Sequence, residues 1–270
     1  MSENGGREAN QSQDQQAHRQ AIDTIDGEIQ DLINRRAEHV LAIARLKEAE
    51  GGPFYRPERE ARILRRIAER NAGPFPEQGM VRLFREIMSG CLALERQLRV
   101  AYLGPEASFT HTAVYTHFGH AVAEVPVATI DEIFRAVDGG QADYGVAPIE
   151  NSTEGPVNAT LDALMHTRLA MCGEVAMRIQ HNLLTHAATL DGIQRLYVHP
   201  QTRAQCRSWL SGYLAAIPWV EVASNAEAAR RAGAEPGSGA VAGAMAAEHY
   251  GLYRLVSGIE DDPENTTRFV

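Results

Sequence analysis

Residues 19–47, RQAIDTIDGEIQDLINRRAEHVLAIARLK, decide how the first part of this chain folds. Steps of three and four from Arg19 reach Ile22, Asp26, Ile29, Ile33, Arg36, Val40, Ile43 and Lys47, a coiled-coil-like seam with no proline and a single glycine, Gly27. The spacing predicts one long helix. Its seam is apolar where a partner helix would press, yet Arg19, Arg36 and Lys47 are cations, and buried charge is costly unless an anion meets it. Arg36 and Lys47 lie roughly 16 Å apart along one face, so their long side chains can converge on one small ligand. Arg19 lies roughly 25 Å before Arg36, too far to reach that ligand from the same helix, and a second chain would have to supply it. An unbroken helix of about 30 residues is also longer than most globular helices, which favours a helical dimer. The alternative is a plain seam whose basic residues snorkel to solvent.

The 270 residues are enough for about two domains with sizeable cores. A net charge of −9 with mixed signs gives no case for nucleic acid. Cys91, Cys172 and Cys206 form neither a CxxC pair nor an even set for disulfides, which points to the reducing cytoplasm. Residues 1–17 are rich in Gln, Asn, Ser and Glu and are expected to be a disordered tail without a secretory signal. No run of 18 apolar residues exists to span a membrane. The histidines have no metal-ligand spacing, and neither metal nor cofactor is expected.

Gly51, Gly52 and Pro53 break the first helix, and Pro57 suits the first turn of a second that is predicted to run to Asn71. A third is predicted from about Met80 to Leu98, with Val81, Phe84, Ile87, Met88, Cys91, Leu92 and either Leu94 or Glu95 facing inward. From Val100 the texture changes to strand-helix alternation. VAYL precedes a helix capped by Ser108, and VAEVPV precedes TIDEIFRAVDGG with a Thr129–Glu132 capping box. DYGVAPIE, RLYV, WVEVA, GAVAG and TTRFV continue the series, with helices predicted after Gly155, over 201–210, over 225–232 and up to Tyr250. This pattern implies open α/β sheets with ligands beyond the carboxyl ends of strands. The extended stretch of about 170–184 reads as a passage between two lobes, with the cleft between them and crossings near 176 and 254.

In the second part, Glu150, Asn151, Ser152, Thr153, Glu154 and Gly155 follow a strand and precede a helix, a place where N–H groups and hydroxyls can converge on an anion; the alternative is an ordinary capped loop. In the first part, Arg19, Arg36, Lys47 and Arg59-Glu60, with Glu95 on the third helix, resemble the all-helical chorismate mutases. GPEASFT, ENSTEG, HPQTRAQC, SNAEAA and NTTRF resemble prephenate dehydratases. Residues 15–270 together are similar to the bifunctional chorismate mutase–prephenate dehydratases.

The resemblance implies an all-α chorismate mutase domain over 18–99, then an α/β two-lobed, periplasmic-binding-protein-like prephenate dehydratase domain over 100–270. It implies chorismate and prephenate as substrates and a homodimer through the long helix. Arg36 and a partner chain's Arg19 would clamp carboxylates, Lys47 would donate to the ether oxygen, and Arg59 and Glu60 would hold the remaining carboxylate and the hydroxyl. Glu95 stands where several relatives carry Gln. An ionised carboxylate cannot donate, so Glu95 is expected to work protonated. Cys91 stands where a Ser can occur and is read as packing.

Thr267 would be catalytic by a hydrogen bond to the leaving hydroxyl, and Glu150 would be the proton source if burial raises its pKa. Asn151, Ser152, Thr153, Gln205, Arg268 and Phe269 would bind prephenate. Relatives continue beyond the TRF strand into an ACT-type regulatory domain, which is not expected in a sequence ending at Val270. Two rival readings make the helical part a dimerisation device only, or the α/β part a non-catalytic binding module.

Overall fold

The computed structural model describes the backbone of residues 3–50 and 55–270, with side chains from Asp14 to Lys47 and from Tyr55 onward. The chain divides into two units, Met1–Gln97 and Leu98–Val270.

The first unit is helical: α1 (Glu3–Glu50), α2 (Pro57–Arg70) and α3 (Glu77–Ala93). The tail predicted to be disordered over 1–17 is instead helical from Glu3. Gln, Glu, Ala and Arg propagate a helix well once the apolar segment has nucleated it, and no proline stops it. The predicted break at Gly51, Gly52 and Pro53 lies outside the described residues. Helix α2 has Pro57 in its first turn with Glu58 and Glu60 beside the N-terminal dipole. Helix α3 ends at Ala93, short of the predicted Leu98, because Arg99 already opens a strand.

The single seam read along α1 resolves into two faces. Ile33, Arg36, Ala37, Val40, Leu41, Ala44 and Lys47 are half-buried or buried. Ile22, Ile25, Ile29, Leu32 and Leu46 form a second apolar stripe that is 48–67 % exposed. Ile22, Asp26 and Ile29, predicted to share the inward face, are therefore on the exposed side. The reason is length: α2 and α3 are too short to cover a 48-residue helix.

The second unit is α/β. Its first part runs β1 (Arg99–Leu103), α4 (Phe109–Phe118), β2 (Ala123–Val127), α5 (Ile130–Asp138), β3 (Tyr144–Val146), β4 (Pro148–Asn151), β5 (Gly155–Pro156), α6 (Asn158–His166) and β6 (Val175–Arg178). Next come β7 (Asn182–Thr185), β8 (Arg195–Val198), α7 (Pro200–Gln205), α8 (Arg207–Tyr213), β9 (Trp219–Glu221), α9 (Asn225–Ala234), β10 (Ser238–Ala242), α10 (Ala244–His249), β11 (Tyr253–Ser257) and β12 (Thr266–Phe269).

One lobe holds a parallel sheet ordered β2-β1-β3 and an antiparallel sheet ordered β5-β4-β12-β6. The other holds a five-stranded sheet, β11-β7-β10-β8-β9, in which only β7 runs antiparallel to its neighbours. The chain crosses between lobes at residues 179–181 and 258–265. The predicted crossings near 176 and 254 are displaced because 176 lies in β6, bonded to β12, and 254 lies in β11, bonded to β7.

Local capping follows the sequence. Ser108 Oγ accepts from His111 N–H to start α4, and Thr129 Oγ1 accepts from Glu132 N–H while Glu132 reaches back to Ala128 N–H. The helix predicted over 201–210 is two helices meeting at Cys206. Asp261 causes the break: its N–H takes the Gln205 carbonyl at 2.7 Å, and its carboxylate accepts from Ser208 N–H at the start of α8. Among the described residues no helix is long and apolar enough to cross a membrane.

Candidate active sites

In the helical unit, one cavity of about 330 Å³ gathers Arg36 and Lys47 from α1, Arg59 and Glu60 from α2, and Glu95 just past the end of α3. Val40, Ile43, Ile63, Met88 and Leu92 supply apolar wall. Helical spacing explains the convergence, since Arg36, Val40, Ile43 and Lys47 recur every three or four residues on one face. Cys91 also lines the cavity and is 4 % exposed, so it is both packed and within reach of whatever fills the site.

The cavity is built for an anion. Arg36, Lys47, Arg56 and Arg59 bring four positive charges against the carboxyls of Glu60 and Glu95. Arg36 Nη1 is buried with no hydrogen-bond partner among the described residues, a costly arrangement unless a ligand supplies the acceptor. Burial pushes the Glu60 carboxyl above its ordinary pKa, opposed by a hydrogen bond from Tyr55 and by the charge of Arg85, 3.9 Å away.

Arg19 is exposed on α1 and does not line this cavity. Tyr55 and Arg85 carry no assignment from sequence. Arg85 was detectable, because it is a cation one step from Phe84 and three from Met88, the kind of intrusion into an apolar stripe that marks Arg36.

In the α/β unit, β4 and β12 pair with Asn151 opposite Thr267 and Glu150 opposite Arg268. Strand alternation then sorts the predicted residues. Asn151 Nδ2 donates to Thr267 Oγ1 and to Asn265 Oδ1, both at 2.8 Å. Thr267 is 9 % exposed and donates no hydrogen bond of its own among the described residues.

Glu150 and Arg268 leave by the other face, where Arg268 pairs with Glu150 at 2.9 Å and with Glu174 at 2.7 Å. The burial on which Glu150's role as proton source depends is absent: its side chain is 48 % exposed. Arg268 serves this surface ion-pair network, in which it holds the Glu174 carboxyl below its usual range. Phe269 is buried, lining an apolar cavity of about 270 Å³ with Phe118, Ile133 and Val137 that Thr267 does not line. Adjacent residues on one strand cannot all face one ligand, so Thr267 excludes Arg268 from its own face.

The anion nest predicted at 150–155 is already occupied by the protein. The N–H groups of Thr153 and Glu154 both donate to Asn151 Oδ1 at 3.0 Å, and that of Ser152 to Thr266 C=O. Ser152 Oγ accepts from Thr266 N–H at 2.9 Å, so this hydroxyl ties the loop to β12, while Thr153 is exposed. The segment orients Asn151, which orients Thr267.

From the other lobe, Gln205 at the end of α7 reaches toward Glu154, Nε2 to Oε1 3.5 Å, and accepts from His181 Nε2 at 2.9 Å. Asn265, His181 and Glu260 are buried polar residues with no role assigned from sequence. Asn265 opens the NTTRF motif and was within view; His181 and Glu260 become visible only through the crossings that bring them together.

Comparison with known proteins finds a family for each unit. Residues 18–96 match the family model "Chorismate mutase type II" and residues 100–270 match "Prephenate dehydratase". The bifunctional chorismate mutase/prephenate dehydratase of Stutzerimonas stutzeri is 51 % identical over 94 % of this chain and 71 % of its own length. That of Neisseria gonorrhoeae is 52 % identical over 94 % of this chain and 70 % of its own. A solved prephenate dehydratase from Arthrobacter aurescens superposes with a TM-score of 0.58 at 32 % identity, over 64 % of this chain and 59 % of that one. Two domain models in tandem and half-identity across nearly the whole length lead to one conclusion: the chain belongs to the bifunctional chorismate mutase/prephenate dehydratase family.

Proposed function

We propose that the helical unit rearranges chorismate to prephenate in the Arg36–Lys47–Arg59 cavity, and that the α/β unit converts prephenate to phenylpyruvate at the Asn151–Thr267 pair. These are two consecutive steps of phenylalanine biosynthesis, and three cysteines with no disulfide suit the cytoplasm. The observation that carries the first step is the unpartnered Arg36 Nη1 in a cavity with four cations, which suits a dicarboxylate.

The rearrangement breaks one C–O bond, forms one C–C bond and exchanges no proton. The protein therefore only folds the substrate and stabilises charge on the departing ether oxygen. Lys47 donates to that oxygen from one side. Glu95 lines the same cavity, and Glu60 accepts from the substrate hydroxyl.

Dehydration expels the ring hydroxyl and CO₂ and consumes one proton, giving phenylpyruvate and water. The Thr267 hydroxyl accepts from Asn151, so its own proton is left to point at the leaving oxygen. Incubating the chain with chorismate and following prephenate and then phenylpyruvate tests both steps. Failure to form either product removes the corresponding half of the proposal.

A second copy completes the mutase cavity with its Arg19. The exposed stripe of Ile22, Ile25, Ile29 and Leu32 supports a helix-to-helix dimer, since a stripe this apolar is ordinarily covered. Arg19→Ala and Arg36→Ala chains, each inactive alone, should regain about a quarter of wild-type mutase activity when unfolded together and refolded. Half of the dimers are then mixed, and each mixed two-fold dimer has one intact site of two. No recovery on mixing would place Arg19 outside the site.

The Glu60 carboxyl sets an acid limit on the mutase. Burial raises its pKa, so the rate should fall as pH drops through that raised value and Glu60 protonates and can no longer accept. Glu60→Gln, whose amide oxygen accepts at every pH, should lose this acid limb. A pH–rate profile of the variant matching that of the wild type excludes Glu60 as the acceptor.

A further inference from the structure

We infer that His181 is a positioning residue for the dehydration step, holding the Gln205 amide in the one orientation that turns its NH₂ toward the Asn151–Thr267 side of the lobe junction. The inference rests on the proposed dehydratase site and adds to it a residue that acts through another.

His181 is 1 % exposed and sits in the first crossing between the lobes. The second crossing grips its backbone on both sides: its N–H donates to Glu260 Oε2 at 2.9 Å, and its carbonyl accepts from Ile259 N–H at 3.0 Å. Phe109 meets the ring edge-on, with centroids 5.5 Å apart. The imidazole is thus fixed in place and angle before any side-chain hydrogen bond is counted.

Its tautomer follows from its neighbours. Gln205 turns Nε2 to the Glu154 carboxylate, an obligatory acceptor, so Oε1 faces His181. His181 Nε2 must then carry the proton. Nδ1 is buried without a partner among the described residues, so a second proton there would find no acceptor. Burial lowers the pKa of His181, with the Gln205 hydrogen bond and the charge of Glu260 opposing.

The charged groups around it are Glu260, whose other oxygen is held by Arg178 at 3.2 Å, Glu154 across Gln205, and Asp261, whose N–H takes the Gln205 carbonyl. None of them competes for Nε2. A glutamine at a lobe junction can present either its oxygen or its NH₂, and an acceptor on one side with a fixed donor on the other selects between them. A buried neutral imidazole with one N–H is such a donor. Leaving Nδ1 unsatisfied in return is the kind of cost that buried sites bear for function.

The test uses the full chain with prephenate as substrate and wild type as control. His181→Leu should lower kcat/KM for dehydration about tenfold, the worth of one oriented neutral hydrogen bond, and leave mutase activity unchanged. His181→Gln, whose amide can return an N–H near the Nε2 position, should recover to within about threefold. In a Gln205→Leu background, adding His181→Leu should cost nothing more, because the interaction it removes is already gone.

Additive losses, a His181→Gln as impaired as His181→Leu, or a Gln205→Leu with wild-type dehydration would each overturn the inference. Should His181→Leu lose its unfolding transition, His181→Asn, too short to reach Gln205, takes its place in the same cycle. A wild-type chain that turns over chorismate but not prephenate defeats the dehydratase site itself rather than the role of His181.

Discussion

Lys47→Ala should reduce prephenate formation from chorismate by about a thousandfold while leaving the dehydration of added prephenate at its wild-type rate. Removing one preorganised donor from a developing oxyanion typically costs about 10²–10³ in kcat, and an ammonium, with its full charge, belongs at the upper end. Arg36, Arg56 and Arg59 line the same cavity, but the two carboxylates of the substrate compete for these guanidiniums.

The substitution should not unfold the unit. Lys47 lies in the last turn of α1, where its favourable interaction with the helix end is worth about 0.3–1 kcal/mol. That is small against a typical stability of about 5–15 kcal/mol, and alanine is the better helix former. The second activity is insulated because it belongs to a separate compact unit beginning at Leu98. Assaying one preparation with each substrate in turn is the check, and prephenate formation within tenfold of wild type would exclude Lys47 as the donor.

The mutase half was more legible in the sequence than the dehydratase half, and the reason is contact range. Arg36 and Lys47 sit on one helix, where a count of threes and fours fixes which side chains share a face. Even so, the count merged two faces of α1. A sequence seam does not say that α2 and α3 cover only the inward face, leaving Ile22 and Ile29 outside.

In the α/β unit the decisive pairings are remote. Strand β12 returns more than a hundred residues after β4, so the register that sets Asn151 against Thr267 is invisible to local patterns. Parity, however, was available. Glu150 and Asn151 are neighbours on one strand, as are Thr267 and Arg268, and neither pair can place both members against one substrate. The break at Cys206 and the His181–Gln205 contact both depend on the crossing residues Glu260 and Asp261, about 55 to 80 positions away in sequence from the groups they bind.

Thr267 carries the second large effect. Thr267→Val, nearly identical in shape, should lower prephenate dehydration by about a thousandfold, within the 10²–10⁴ range for a positioned proton donor. Thr267→Ser should stay within about tenfold of wild type, since it keeps the hydroxyl. The valine variant should fold. Asn151 Nδ2 loses one acceptor but keeps Asn265 Oδ1 at 2.8 Å and the Thr266 carbonyl at 3.4 Å, so the loss is about 1 kcal/mol.

The geometry also sets the order of effects within the pair. Asn151→Ala frees the N–H groups of Thr153 and Glu154, and with them the loop after β4, so it should lower the melting temperature as well as the rate. Thr267→Val should lower the rate alone. Mutase activity stays at wild-type level in both variants if each unit works independently. A Thr267→Val chain that still makes phenylpyruvate at a tenth of the wild-type rate or better would show that the leaving hydroxyl draws its proton from elsewhere. With Glu150 turned to the outer face, that source would have to be another group at the lobe junction.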